Sequence, residues 1–174
     1  AEFWNRDLPR TNSALRRFLR HKESIFSVAG HLCTNPDHRA TPIGSRRVSP
    51  LVREGLSKYS ANFDYMKSAG GGYGLYYATV MQSMGVIRLA DRDLGLPADA
   101  VTPTLGAAAA DAFRSAISGT KYWKNYFDKD EVPAAVVEEL SMECCLCRLR
   151  EQAPDREPLV DVFLHGGHAS QAAS

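Results

Sequence analysis

The most constraining feature of the chain is a change of hydrophobic period around two short apolar segments. In Ser83-Met-Gly-Val-Ile-Arg-Leu89 a helical run ends on Gly85 and passes straight into β-branched residues. Asp91 to Asp99 follows as a polar turn containing Gly95 and Pro97, and Ala100-Val101-Thr102-Pro103 reads as the returning strand. Thr104 is then the expected cap of a strongly helical run, Leu105 to Ile117, stopped by Gly119. The order predicts one short β-hairpin set among helices.

The flanking segments are helical in pattern. Thr11-Asn12-Ser13 supplies good N-cap residues. Leu15, Phe18, Leu19, Ile25, Phe26, Ala29 and Leu32 then recur close to a 3.6-residue period, with Arg16, Arg17, Arg20 and Lys22 mostly on the other side. Thr34 to His38 ends this helix, and Thr41 to Arg47 reads as an exposed basic loop. A second helix is expected from Ser49-Pro50, with proline in its first turn, and a further short one through Phe63, Tyr65 and Met66. Gly70 to Gly74 is a break, or hinge, before a buried helix carrying Leu75, Tyr76, Ala78, Met81 and Met84. Tyr122, Trp123, Tyr126 and Phe127 form one aromatic face of a short helix. Asp130-Glu-Val-Pro133 and Asp155-Arg-Glu-Pro158 open two more. The fold class read from this is mostly α, a helical bundle with one short β-hairpin.

Composition narrows the class. The 174 residues, with thirteen Gly and nine Pro, fit one compact domain and not a collagen-like or low-complexity chain. No apolar run approaches the roughly 20 residues a membrane span needs. The four cysteines do not make a disulfide framework, because Cys144, Cys145 and Cys147 crowd together; reduced thiols in a cytoplasmic protein are expected. Net charge is +1, but residues 1–67 hold twelve Lys and Arg against six Asp and Glu, whereas residues 68–174 hold nine against fourteen. The chain opens on Ala1 without a Met and reads as a fragment or processed form.

Met84-Gly-Val-Ile87, the polar turn, and Leu105-Gly106 to Ala112-Phe113 resemble the winged-helix pattern over about 45 residues. The resemblance implies a recognition helix over Tyr73 to Met84 and backbone contacts from Arg88 and Arg92 in the wing. Between Tyr73 and Met84, however, Gln82 is the one side chain suited to reading bases. More loosely, Gly44-Ser-Arg-Arg47, Gly71-Gly-Tyr-Gly-Leu-Tyr-Tyr77, the wing, Cys144-Cys-Leu-Cys147 and Asp155-Arg-Glu157 resemble uncharacterised bacterial proteins associated with restriction-like or phage-defence systems. On this reading a basic helical part (1–69) precedes a winged-helix-like unit (70–119), C-terminal helices (120–165) and a disordered tail (166–174).

Two sets of residues carry the functional expectations. Arg16, Arg17, Arg20, Lys22, Arg39, Arg46, Arg47, Arg53 and Arg88 are the candidate DNA contacts, giving sequence-blind, salt-dependent affinity for phosphate. Without DNA contact, the same domain would be a protein-interaction or scaffolding module. For metal, Cys144 and Cys147 in C-x2-C spacing pair with His165 and His168 as a possible zinc site, leaving Cys145 a bystander; in the absence of that site no cofactor is expected. His31, Cys33, Asp37 and His38 form a second ligand cluster, which can also meet the Cys144 to Cys147 segment in space. No nucleophile-elbow or metalloprotease spacing is present, and a non-catalytic domain is the expectation.

Overall fold

A computed structural model describes residues 1–36, 38, 42–150 and 153–167. The chain is mostly helical, with the expected short hairpin and one further pair of short strands. Helix α1 (Asn12–Leu32) begins where the cap cluster predicts, the Thr11 hydroxyl oxygen accepting from the Ala14 N–H at 3.2 Å. Its apolar face enters the main core, where Ile25, Val28 and Ala29 meet Val136, Val137 and Leu140 of α5 (Ala134–Cys144). Val48 of α2 (Ser45–Arg53), Ile117 of α4 (Leu105–Ile117) and Tyr122 complete that core. The first and last thirds of the chain therefore share one interior.

Helix α2 starts four residues earlier than expected and carries Pro50 inside it. Gly44, at φ +85°, makes the tight entry, and its carbonyl accepts from Arg47 and Val48. No helix forms through Phe63, Tyr65 and Met66; the segment is irregular, with Ala61 and Tyr65 buried in the core and Phe63 and Met66 packed against it. Strand β1 (Lys58–Ser60) pairs antiparallel with β4 (Glu131–Pro133), so Glu131-Val-Pro133 is extended before α5 begins.

The hairpin pairs β2 (Ile87–Arg88) with β3 (Ala100–Val101), Ile87 opposite Val101. The Thr102 hydroxyl donates to the Gly85 carbonyl at 2.7 Å and accepts from the Gly106 N–H at 3.0 Å, so Thr102 performs the capping expected of Thr104. The segment before the hairpin departs from expectation. A π-helical stretch (Tyr73–Tyr77) runs straight into α3 (Ala78–Ser83), so the segment is helical as expected but not buried: Leu75, Tyr76 and Val80 are each about half exposed, at 54%, 56% and 51%. Only Tyr73 is buried there, its hydroxyl donating to Asp99.

The glycine run is a packed corner rather than a hinge. Glu23 reaches from α1 and accepts hydrogen bonds from the Gly72 and Tyr73 N–H groups (3.2 and 2.7 Å) and from the Tyr65 hydroxyl. A Cβ on Gly71, at φ +65°, would lie 2.3 Å from a Glu23 oxygen. Helix α6 (Arg156–His165) packs on α4 with Val162 buried and Phe163 and Leu164 exposed, and Gly166 closes it with an N–H bond to the Val162 carbonyl. No helix among the described residues is long and apolar enough to cross a membrane.

Candidate metal centre

Helices α1 and α5, packed against each other in the core, each deliver a cysteine at the point where the helix stops. Cys33 is the C-cap of α1 and Cys145 the C-cap of α5, both in extended conformation. A turn after Cys33 brings back His38, and the 3₁₀ turn Leu146–Arg150 brings back Cys147. Arg148 braces that turn with an ion pair to Glu143 at 2.7 Å. The Sγ atoms of Cys33, Cys145 and Cys147 and a ring nitrogen of His38 all lie within 4.8 Å of one another. Cys33 Sγ is 3.5 Å from Cys147 Sγ, and His38 Nδ1 is 3.1 Å from Cys145 Sγ. A tetrahedral zinc with bonds of about 2.3 Å to sulfur and 2.0–2.1 Å to nitrogen sets its ligands roughly 3.5–3.8 Å apart. The observed spread brackets those separations.

The electrostatics also favour a cation here. Two helix C-termini converge, each presenting the negative end of its dipole. Burial, with the neighbouring thiols, pushes Cys145 up to about 12, and burial also raises Cys147. As bare thiols, these groups are therefore protonated and poor nucleophiles, which weighs against reading the His38–Cys145 contact as a catalytic dyad. A bound divalent ion reverses that balance by taking the thiolates as ligands.

Of the four residues singled out from spacing, the structure brings one, Cys147, into this group. Cys144 ends α5 packed against the core, with its thiol also pushed up to about 12 by burial, and Cys145 stands in the group where Cys144 was expected. His165 is exposed at the end of α6 and outside the cluster, and His168 lies outside the described residues. Of the second cluster, Cys33 and His38 take part. His31 bonds the Ser27 carbonyl through Nδ1 at 2.8 Å, and Asp37 lies outside the described residues. The pattern that matters is C-x4-H joined to C-x-C, and only the tertiary fold joins them.

The basic residues separate into two kinds. Arg20 is held by Asp64 at 2.6 Å and by the Met66 and Ser68 carbonyls. Lys22 is buried, bonded to the Phe127 carbonyl and Asp128 and lying over the Phe127 ring. Arg47 donates to the Asp64 carbonyl. These three serve the fold. Arg16, Arg17, Arg46, Arg53 and Arg88 are exposed, and Arg39 lies outside the described residues.

Fold and site together define a mostly helical domain in which three cysteines and a histidine are gathered closely enough to hold a metal ion. No protein-family model, curated protein or solved structure matches the chain.

Proposed function

We propose that this chain is a non-catalytic, zinc-stapled helical domain that serves as a protein-interaction module. The observation that carries the reading is the cluster of Cys33, His38, Cys145 and Cys147. Four protein ligands fill a tetrahedral shell and leave no open position for substrate, which is the arrangement of a structural rather than a catalytic zinc. Soft thiolates favour zinc over magnesium, calcium or manganese. Metal analysis of the purified chain is expected to give about one zinc per molecule. Chain purified under reducing conditions with zinc supplied and found metal-free would overturn the reading.

For the partner, the surface favours protein over DNA. The stretch a winged helix would insert into the major groove presents Leu75, Tyr76, Tyr77 and Val80 to solvent and carries no lysine or arginine. Duplex DNA is therefore expected to bind weakly or not at all in fluorescence anisotropy at about 50 mM salt. The exposed Arg16, Arg17, Arg46, Arg53 and Arg88 support the second reading, contact with phosphate. Binding that falls at least tenfold between about 50 and 200 mM salt would establish that reading in place of the first.

A further inference from the structure

A cavity of about 310 Å3 lies beside the metal cluster, between α1 and the segments carrying Pro42, Tyr65 and Leu146. Its size is at the lower end of small-molecule sites, and its walls are those such sites use. Phe26, Ile43, Tyr65, Tyr77 and Leu146 supply apolar and aromatic surface. The other side chains with polar atoms that line it are few: Glu23, Ser27, His38, Cys144 and Cys145. No lysine or arginine among the described residues borders it.

That combination sets the sign of what fits. Glu23 accepts from three donors, the Tyr65 hydroxyl and the Gly72 and Tyr73 N–H groups, so it is held in place as an acceptor. Ser27 is already committed, its hydroxyl donating to the Ile43 carbonyl. His38 and Cys145, which also line the cavity, belong to the metal cluster. Zinc with three thiolates and one neutral imidazole carries a single net negative charge, so both polar walls are anionic. Phe26, Tyr65 and Tyr77 line it as well, and aromatic faces attract cations. An anionic ligand meets repulsion from both groups, and Arg20, whose charge acts on Glu23, is itself committed to Asp64 and to the Met66 and Ser68 carbonyls.

We propose that this cavity binds a small organic ammonium ion, its alkyl or aryl body against the aromatic wall and its charge toward Glu23. The Glu23 carboxylate is there with or without metal; the second negative wall rests on the zinc reading given above.

The test is calorimetric titration of the full chain with tetramethylammonium, choline and benzyltrimethylammonium. The controls are 3,3-dimethylbutan-1-ol, which is the uncharged isostere of choline, and benzoate. The ammonium ions are expected to bind at least about tenfold tighter than the neutral isostere, with benzoate excluded. Glu23→Gln should erase that preference. Because Glu23 also anchors Gly72 and Tyr73, a variant that fails to fold is replaced by Tyr77→Leu. Tyr77 is 44% exposed, and its loss should weaken the ammonium ions several-fold more than the isostere. Equal affinity for choline and its isostere, or no ammonium binding at about 10 mM, overturns the proposal. Zinc is measured on the same sample. A zinc-free chain that still discriminates the cation counts against the metal centre alone, and a zinc-loaded chain that does not counts against the ammonium site alone.

Discussion

Cys144 and Cys145 are adjacent and chemically identical, yet the fold gives them different work. The difference is one residue of helix: Cys144 is the last residue of α5 and packs inward, while Cys145, with φ −71° and ψ 136°, leaves the helix and faces Cys33 and His38. Cys145→Ser is therefore expected to lose zinc on dialysis, whereas Cys144→Ser keeps it and costs packing of about 1 kcal/mol. Zinc retained by Cys145→Ser and lost by Cys144→Ser would reinstate the C-x2-C pairing expected from spacing alone. A second residue-scale effect concerns acid. Burial acts to raise the Asp128 carboxyl, but the Arg6 hydrogen bond and the charges of Lys22 and Arg6 outweigh it and hold it below its ordinary value. A carboxyl depressed on folding stabilises the native state fully above its unfolded pKa and loses that contribution as pH falls through the folded one. Asp128 is 55% exposed, so the contribution is under about 1 kcal/mol. Asp128→Asn should lower the neutral plateau of an unfolding-versus-pH curve by under about 1 kcal/mol and converge with the unmodified protein in acid, which flattens the limb below about pH 4.

At the scale of elements, α1 and α5 carry the interior, and Leu140 sits fully buried between them. Leu140→Ala should lower unfolding free energy by about 2–5 kcal/mol in urea titration, a cavity cost the neighbours cannot close. In the hairpin, a Cβ on Gly106 would fall 2.0 Å from the Val86 carbonyl oxygen. Gly106→Ala must therefore push β2 and α4 apart, and should expose Trp4, bonded to Asp99 beside β3, as a shift in tryptophan emission. How far the elements were legible follows from how local their causes are. Helix α1 was readable because cap and apolar repeat both lie within it. The hairpin was readable because Gly85 and the Thr-Pro-Thr segment punctuate it. The β1–β4 pair was not, since each strand is three residues long and finds its partner 73 positions away, and Pro133 reads equally well as a helix start. The run from Leu75 to Val80 is apolar enough to look like core, and nothing in its own pattern says that none of the described elements covers it. The metal cluster was half legible: both ligand pairs are local, but their meeting is tertiary, and the choice between Cys144 and Cys145 turns on a helix end.

For the whole molecule, the cluster links Cys33 and His38 near the start to Cys145 and Cys147 near the end. Such a link stabilises the native state by mass action and by limiting the freedom of the open chain. Chelation at neutral pH is expected to lower the melting temperature by at least about 5 °C, reversed on adding zinc back. Acidification should release the metal before the chain unfolds, since protons compete for all four ligands. Equal melting curves for chelated and zinc-loaded protein would mean that the cluster does not staple the fold. The placement of those ligands has a consequence for biosynthesis. A ribosome adds residues from the N-terminus, at roughly 5–20 per second in bacteria. Cys33 and His38 therefore leave the exit tunnel long before Cys145 and Cys147 exist, and any ion they capture in that interval is held by half a site. The interior cannot close until α5 emerges, so a nascent chain stalled ahead of Cys145 would stay sensitive to protease whatever zinc the cell supplies.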